Sequence, residues 1–484
     1  MFKQCLLATA CLLVATSSFA QQKWNLQRCV QYAIENNVGL KINKLSVDAN
    51  QSTLAQSNAA RLPNLNIAGS QGWSTGRNID PRTNQFVDRS VWSNNWSVNT
   101  GVTLFNGFSI NNTIKQSQYN VQAAQFDYER TKNDLVLNVV NAYLQIMLNK
   151  ELIETAKIQL QNTTEQLDRT LKLIEGGRLA EANKYDLISQ QANDELRIVT
   201  AENNMNIAIV RLKQLLQVPM DEVLDLEIPQ IQEPNESGLA ATSASIYETA
   251  ETSQPIVKNA DALIKSAEFG VEIAKANRYP IVTFGANISS VYSSLTQLPI
   301  LSQATVTGVR NTGTFIGDVV PTDPNDSRWV RTPVVNVPTE TPSMFNQWLD
   351  QNIRYGASVN LQIPIYSRGQ VKNGIKQATI QQERATLQAQ NVRNQLRQTI
   401  EQAYVDAKGA AKTYQANKVR ANALTESTRI AEQRFTLGAI NAVEYTLSKN
   451  NLAIAQSDMV RTKYEYVFRL KVLDFYMGKE IKLD

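Results

Sequence analysis

Carboxylates are the main candidates for chemistry in this sequence. Its 484 residues include 44 Asp+Glu, 48 Lys+Arg, three Cys and no His. Without histidine the chain lacks the commonest zinc ligand and the commonest general base. Cys5 and Cys11 fall in a segment read below as cleaved, which leaves Cys29 as a lone thiol without a disulfide. Glu151 and Glu154 have the spacing of a solvated helix face. Asp318, Asp323 and Asp326 could offer oxygens to calcium, but their spacing is not that of an EF-hand, and a solvated loop is the plainer reading. No glycine-rich phosphate loop, HExxH or G-x-S-x-G motif occurs. The expectation is no enzyme, no cofactor and no metal. A net charge of +4 is small for this length and argues against a basic stripe for nucleic acid. Two places stand apart. Asn183 and Asp186 follow Gly177, with Arg178 beside it, and Glu444 follows Gly438. A glycine between two helices supplies the positive φ of a tight reversal, and that role alone accounts for both glycines. An acid near a helix start complements the dipole, one complete reading of Glu444.

The elements that position these residues follow from breakers and periodicity. Lys3, the apolar run Leu6 to Val14 and the small residues Ser18 and Ala20 read as a signal peptide over 1–20, cleaved before Gln21. Acylation of Cys11 is the lipoprotein alternative, but Ala8-Thr9-Ala10-Cys11 is a poor lipobox. No 18-residue apolar run follows. Proline is absent between Pro81 and Pro219 and again after Pro364. Proline costs about 3 kcal/mol in a helix interior, so these stretches can be long helices. Residues 109–174 predict one helix, about 100 Å long at 1.5 Å per residue. Leu135, Val139, Ala142 and Ile146 form a narrow stripe with amide-rich flanks, which predicts coiled-coil packing.

Four segments have period two instead. Trp96, Val98, Thr100, Val102 and Leu104 alternate with small polar residues. So do Val282, Phe284, Ala286 and Ile288, and Tyr355, Ala357, Val359, Leu361 and Ile363; residues 64–73 do so more weakly. Such strands in an exported protein suggest a transmembrane barrel, with Val98, Val102, Leu104, Phe284, Val359 and Leu361 facing lipid. A sandwich packed on helices is the alternative.

The chain also repeats itself. Ala33, Leu40, Arg61 and Pro63 match Ala250, Val257, Arg278 and Pro280 at an offset of 217. Phe105, Ala142-Tyr143 and Gly177 match Tyr366, Ala403-Tyr404 and Gly438 at 261. The first repeat is read as 21–245: a helix, strands over 64–76 and 92–105, a helix over 109–174, a turn at 176–177, a helix over 179–217 and a linker over 218–245. The second is read as 246–484: a helix, strands over 281–292 and 353–366 around a proline-rich loop over 293–351, a helix over 371–435, a turn at 438 and a helix over 440–477. A barrel takes long loops at one end, so the loop is placed outside the cell. Four strands cannot enclose a lumen; two copies would supply eight and three would supply twelve.

Taken together, this order resembles the TolC family of outer-membrane efflux proteins over almost the whole mature chain. The resemblance rests on Leu26 with Ala33-Ile34-Glu35-Asn36-Asn37, on Arg61-Leu62-Pro63, and on Leu104-Phe105-Asn106-Gly107 echoed by Ile365-Tyr366-Ser367-Arg368-Gly369. It rests too on Gln433-Arg434-Phe435-Thr436-Leu437-Gly438 followed by Glu444 and Leu447. The resemblance implies an α+β membrane protein: an internally duplicated chain with a long coiled-coil tunnel and four strands in a trimeric twelve-stranded outer-membrane barrel. It implies a homotrimer in outer-membrane lipid, a periplasmic adaptor and an inner-membrane transporter as partners. Gly177, Arg178 and Gly438 then mark adaptor-docking helix tips, and Asn183, Asp186 and Glu444 the periplasmic aperture. Three copies of Glu444 around a threefold axis would attract cations. The chain departs from the family pattern in having Asn183 where an acid is usual, Leu447 in place of a second acidic ring, and Ile440 where an arginine latch stands; Arg178 is a replacement donor.

The resulting expectation is a passive trans-periplasmic duct for small molecules, driven by a separate inner-membrane pump. A duct for polypeptides, as in type I secretion, fits the same fold. A surface coiled-coil scaffold or adhesin is the alternative of a different class, and it predicts exposed strands without ion conduction.

Overall fold

The computed structural model describes residues 23–79, 84–227, 241–316, 320 and 322–479. The predicted signal peptide, residues 228–240 of the predicted linker, and Asp318 lie outside the described residues. The chain opens with α1 (Leu26–Asn36) and α2 (Val38–Ala59), then β1 (Asn64–Ser74). A short ribbon of β2 (Arg77–Ile79) and β3 (Phe86–Asp88) precedes β4 (Val91–Asn106). The helices α3 (Ser109–Glu175) and α4 (Ala182–Leu216) follow. The second half runs α5 (Ser243–Ser253), α6 (Pro255–Ala276) and β5 (Ile281–Ser293). Next come β6 (Leu298–Pro299), β7 (Thr305–Phe315), β8 (Trp329–Asn336) and β9 (Thr339–Glu340), then β10 (Arg354–Gln362). It closes with α7 (Gln370–Thr436) and α8 (Ala442–Tyr476). Successive helices of the two halves match in length: 11, 22, 67 and 35 residues in each.

The chain divides into two compact units. The helical unit takes residues up to Ala55, Ile114–Val271 and Lys376 onward. Its main core joins Leu26, Cys29 and Leu40 to Val139, Tyr143 and Ile146 of α3 and to Leu212 and Leu216 of α4. All four residues of the predicted α3 stripe are buried, Val139 fully. Tyr143 donates a hydrogen bond to the Glu227 carbonyl, which ties α3 to the chain leaving α4. A second cluster repeats the plan with Ile246, Ala250 and Val257 against Ile400, Ala403 and Ala407 of α7. α6 is fastened to α3 by polar contacts: Asn259 donates to the Ala123 carbonyl at 2.7 Å and Ser266 to Asn120 at 2.6 Å.

The strand unit holds a four-stranded antiparallel sheet in the order β1-β4-β5-β10. Directly opposed residues share a face. One face carries the rows Ile67–Val98–Ile288–Tyr355, Leu65–Thr100–Ala286–Ala357 and Val102–Phe284–Val359. The other carries Asn66–Asn99–Asn287–Gly356 and Asn64–Gly101–Gly285–Ser358. The period-two reading thus becomes one apolar and one small polar face. The structure differs at Leu104. A bulge falls between Thr103 and Phe105, so Phe105 and not Leu104 opposes Val282 in the row with Leu361. β10 stops at Gln362, short of the predicted 366, because Pro364 follows and cannot donate to a ladder. The predicted loop over 293–351 contains its own ribbon, β7 against β8, and a small bridge of β6 to β9.

Candidate functional site

The two helix reversals are built alike at their first end. α3 closes with the Arg178 amide donating to the Leu173 carbonyl at 2.8 Å, and α7 with the Ala439 amide donating to Arg434 at 2.8 Å. Both are six-to-one closures that need a left-handed residue, supplied by Gly177 (φ +70) and Gly438 (φ +74). The starts of the next helices differ. Asn441 caps α8 by accepting the Glu444 amide at 2.8 Å, and its own side-chain amide donates back to Glu444 at 3.4 Å. Asn441 is thus a side-chain N-cap, and Glu444 has a local structural duty as the residue whose amide it caps. α4 has no side-chain cap; Glu181 stands at its start and pairs with Lys184. Glu444, Asp186, Arg178, Gly177 and Gly438 are exposed, and Asn183 is half-buried. The structure brings Gly438 and Glu444 into one reversal, and Gly177, Arg178 and Asn183 into the other. Phe435 and Tyr445 stack at 5.1 Å beneath the second reversal, and burial pushes the Tyr445 hydroxyl up to about 12. Arg169 of α3 reaches Glu432 of α7 at 3.8 Å.

Sequence reasoning missed a buried polar seam between the helices. Gln159, Thr163, Gln166 and Thr170 of α3 are all buried at heptad spacing. Thr163 donates to Asp194 Oδ2 at 2.7 Å, Gln190 donates to Asp194 Oδ1 at 2.9 Å, and Lys449 Nζ lies 3.5 Å from Thr163 Oγ1. Asp194 is fully buried and Lys449 is 7% exposed. Burial pushes the Lys449 ammonium below the usual lysine range, opposed by the charges of Asp194 and Glu432. The signal that could have found this seam is the four-three-four spacing of polar residues on α3.

In the strand unit, the lipid-facing expectation falls on exposed side chains at β10: Val359 and Leu361 are 64% and 62% exposed. β1 is exposed along its whole length. Among the described residues nothing pairs with the outer edges of β1 and β10. Trp73 and Trp92 oppose each other near one end of the sheet, and Phe105 and Phe108 meet at the other with rings 5.5 Å apart. Among the described residues, no helix is long and apolar enough to cross a membrane and no cluster could hold a metal ion.

The sheet has one apolar and one polar face and is open at both outer edges, and each half of the chain carries a 67-residue helix after its strands. The sequence profile of the outer membrane efflux protein family matches residues 29–217 and 246–479, and the chain belongs to that family and so to the outer membrane. It is 24% identical over 270 residues to toxin and drug export protein A of Aggregatibacter actinomycetemcomitans, 55% of this chain and 56% of that protein. It is 20% identical over 468 residues to outer membrane protein TolC of Escherichia coli K12, 93% of this chain and 81% of that one. Against several curated relatives it spans about half their length. In fold it is similar to CusC, with a TM-score of 0.71 at 15% identity over 96% of both chains. It is similar also to the Campylobacter jejuni CmeC outer membrane channel, with a TM-score of 0.69 at 15% identity over 94% of this chain and 85% of that one.

Proposed function

We propose that the chain is the outer-membrane component of a tripartite efflux system, a homotrimeric passive duct through which small molecules leave, energised by an inner-membrane transporter through a periplasmic adaptor. The observation that carries this reading is the open-edged sheet. In lipid every backbone donor and acceptor needs a partner, so β1 of one copy pairs with β10 of the next. Three copies give twelve strands, enough for a lumen lined by Asn66, Asn99, Asn287 and Ser358. Val98, Val102, Phe284, Val359 and Leu361 face lipid. The reversals at Gly177, Arg178 and Gly438 dock the adaptor, and Asn183, Asp186 and Glu444 surround the periplasmic mouth. Halves 21–245 and 246–484 act as structural repeats after removal of a signal peptide over 1–20.

The test is the mass and conductance of the purified particle in lipid. Trimers that open ion-conducting pores support the duct. A monomer, or a trimer that leaves bilayers sealed even after removal of both reversals, overturns it and favours a surface scaffold.

A further inference from the structure

The helical unit holds a polar chamber of about 240 Å³ between α3, α7 and α8. Two side chains in its wall have unmet donors. Gln159 is 8% exposed and its Nε2 has no partner. Lys449 is 7% exposed and carries three N–H groups, yet its one hydrogen bond is the long 3.5 Å approach to Thr163, with the Tyr445 ring 5.7 Å from its Nζ. Among the described residues no carboxylate oxygen comes within 4.0 Å of Lys449 Nζ. The nearby acceptors are engaged: Asp194 takes hydrogen bonds from Thr163 and Gln190, and the Thr428 hydroxyl is bonded to Ser448. Arg169 also lines the chamber and meets Glu432 only at 3.8 Å. Glu165 and Glu432 line it too, but Glu165 is exposed and Glu432 keeps 46% of its side chain in solvent.

Buried donors left open cost free energy, and a buried cation costs more. Water can satisfy the donors but brings Lys449 no counter-charge beyond the through-space influence of Asp194 and Glu432. A compact anion with several acceptor oxygens does both. We propose that this chamber binds a small oxyanion of the sulfate or phosphate type, held between Lys449 Nζ and Gln159 Nε2. Binding there fastens α3 to α8 across the two helix pairs. The chamber lies wholly in the helical unit, so the proposal does not depend on export.

The experiment is calorimetric titration of the purified full-length protein in detergent with sodium sulfate, in chloride buffer of constant ionic strength. One saturable sulfate per chain is expected. Lys449→Met and Gln159→Leu, each first shown to keep wild-type oligomer mass and helix content, are expected to weaken binding about tenfold or more, the worth of a charged hydrogen bond. Should Lys449→Met not fold, Gln159→Leu decides the matter. A chamber that holds only water gives no saturable heat, and that result overturns the proposal. So does sulfate binding unchanged in the variants.

Discussion

Replacing Val359 by arginine tests the assignment of the two sheet faces. Val359 stands opposite Phe284, which stands opposite Val102, in the third of four apolar rows. The rows from Tyr355 to Leu361 cover six steps along β10, about 20 Å at 3.4 Å per residue. That is close to the apolar band of an outer-membrane barrel, about 25 Å tall. Val359 sits inside this band, away from the aromatic residues at either end. Arginine on a lipid face at that depth costs about 2–4 kcal/mol, so three copies in the proposed trimer lose about 6–12 kcal/mol. Asn360 is the control, since it is the next residue on the same strand and opposes Thr283 on the polar face. Both variants carry the same charge at nearly the same depth, and they differ only in face. The assay is urea unfolding of the reconstituted trimer in vesicles, with trimer yield followed on semi-native gels. Val359→Arg is expected to abolish or sharply lower assembly, while Asn360→Arg assembles near the wild-type level. Equal loss from both variants, or normal assembly of Val359→Arg, would refute the face assignment.

Three further outcomes are expected. Gly107→Ala should impair folding, because an added Cβ would lie 2.7 Å from the Ala276 carbonyl oxygen and 2.8 Å from the Tyr279 Cβ at a residue with φ +64; recovery of normal assembly would show that the β4-to-α3 turn yields easily. Cys29 is fully buried and its thiol is pushed up to about 12, so native alkylation at pH 8, read by mass spectrometry, should run about 10³-fold slower than in urea; a difference under tenfold would contradict that burial. The lowered Lys449 ammonium means that the native state gives up this proton before the unfolded chain does, so its penalty fades as pH rises from the depressed folded value to the ordinary lysine range. The stability advantage of Lys449→Met over wild type, from urea midpoints in chloride buffers, should shrink on that rise; a constant difference would show that Lys449 does not titrate there.

The sheet faces were legible in the sequence because alternation has no competing explanation in a strand. Val282, Phe284, Ala286 and Ile288 could be placed on one face before any pairing was known, and the register joins that face across all four strands. The bulge at Leu104 was not legible because it leaves no mark on the alternation; Leu104 and Phe105 are both apolar, and only pairing shows which one opposes Val282. The β7–β8 ribbon was read as loop because Pro333 and Gly313 lie within it. Proline is tolerated in a two-stranded ribbon, where one side of each strand is an edge. The reversal glycines were legible since few other residues take a positive φ at a helix end. The capping of the Glu444 amide was not, because it depends on the Asn441 side chain turning toward the helix.

The polar seam shows why composition misleads in long helices. Gln159, Thr163, Gln166 and Thr170 look like a solvated face, yet they occupy the spacing that Leu135, Val139, Ala142 and Ile146 use to bury apolar carbon on the same helix. Packing geometry, not residue type, decides which face of α3 is covered. An apolar seam stabilises without discriminating strongly between neighbouring registers. A seam in which Thr163 and Gln190 both donate to Asp194 tolerates one register, since sliding by a turn would leave a buried carboxylate without its donors. Helices of 67 residues repeat similar stripes many times over and offer many false alignments. The polar residues near the reversals therefore give up some stability to fix how α3, α4 and α8 meet, while the apolar core around Tyr143 and Leu212 supplies the cohesion.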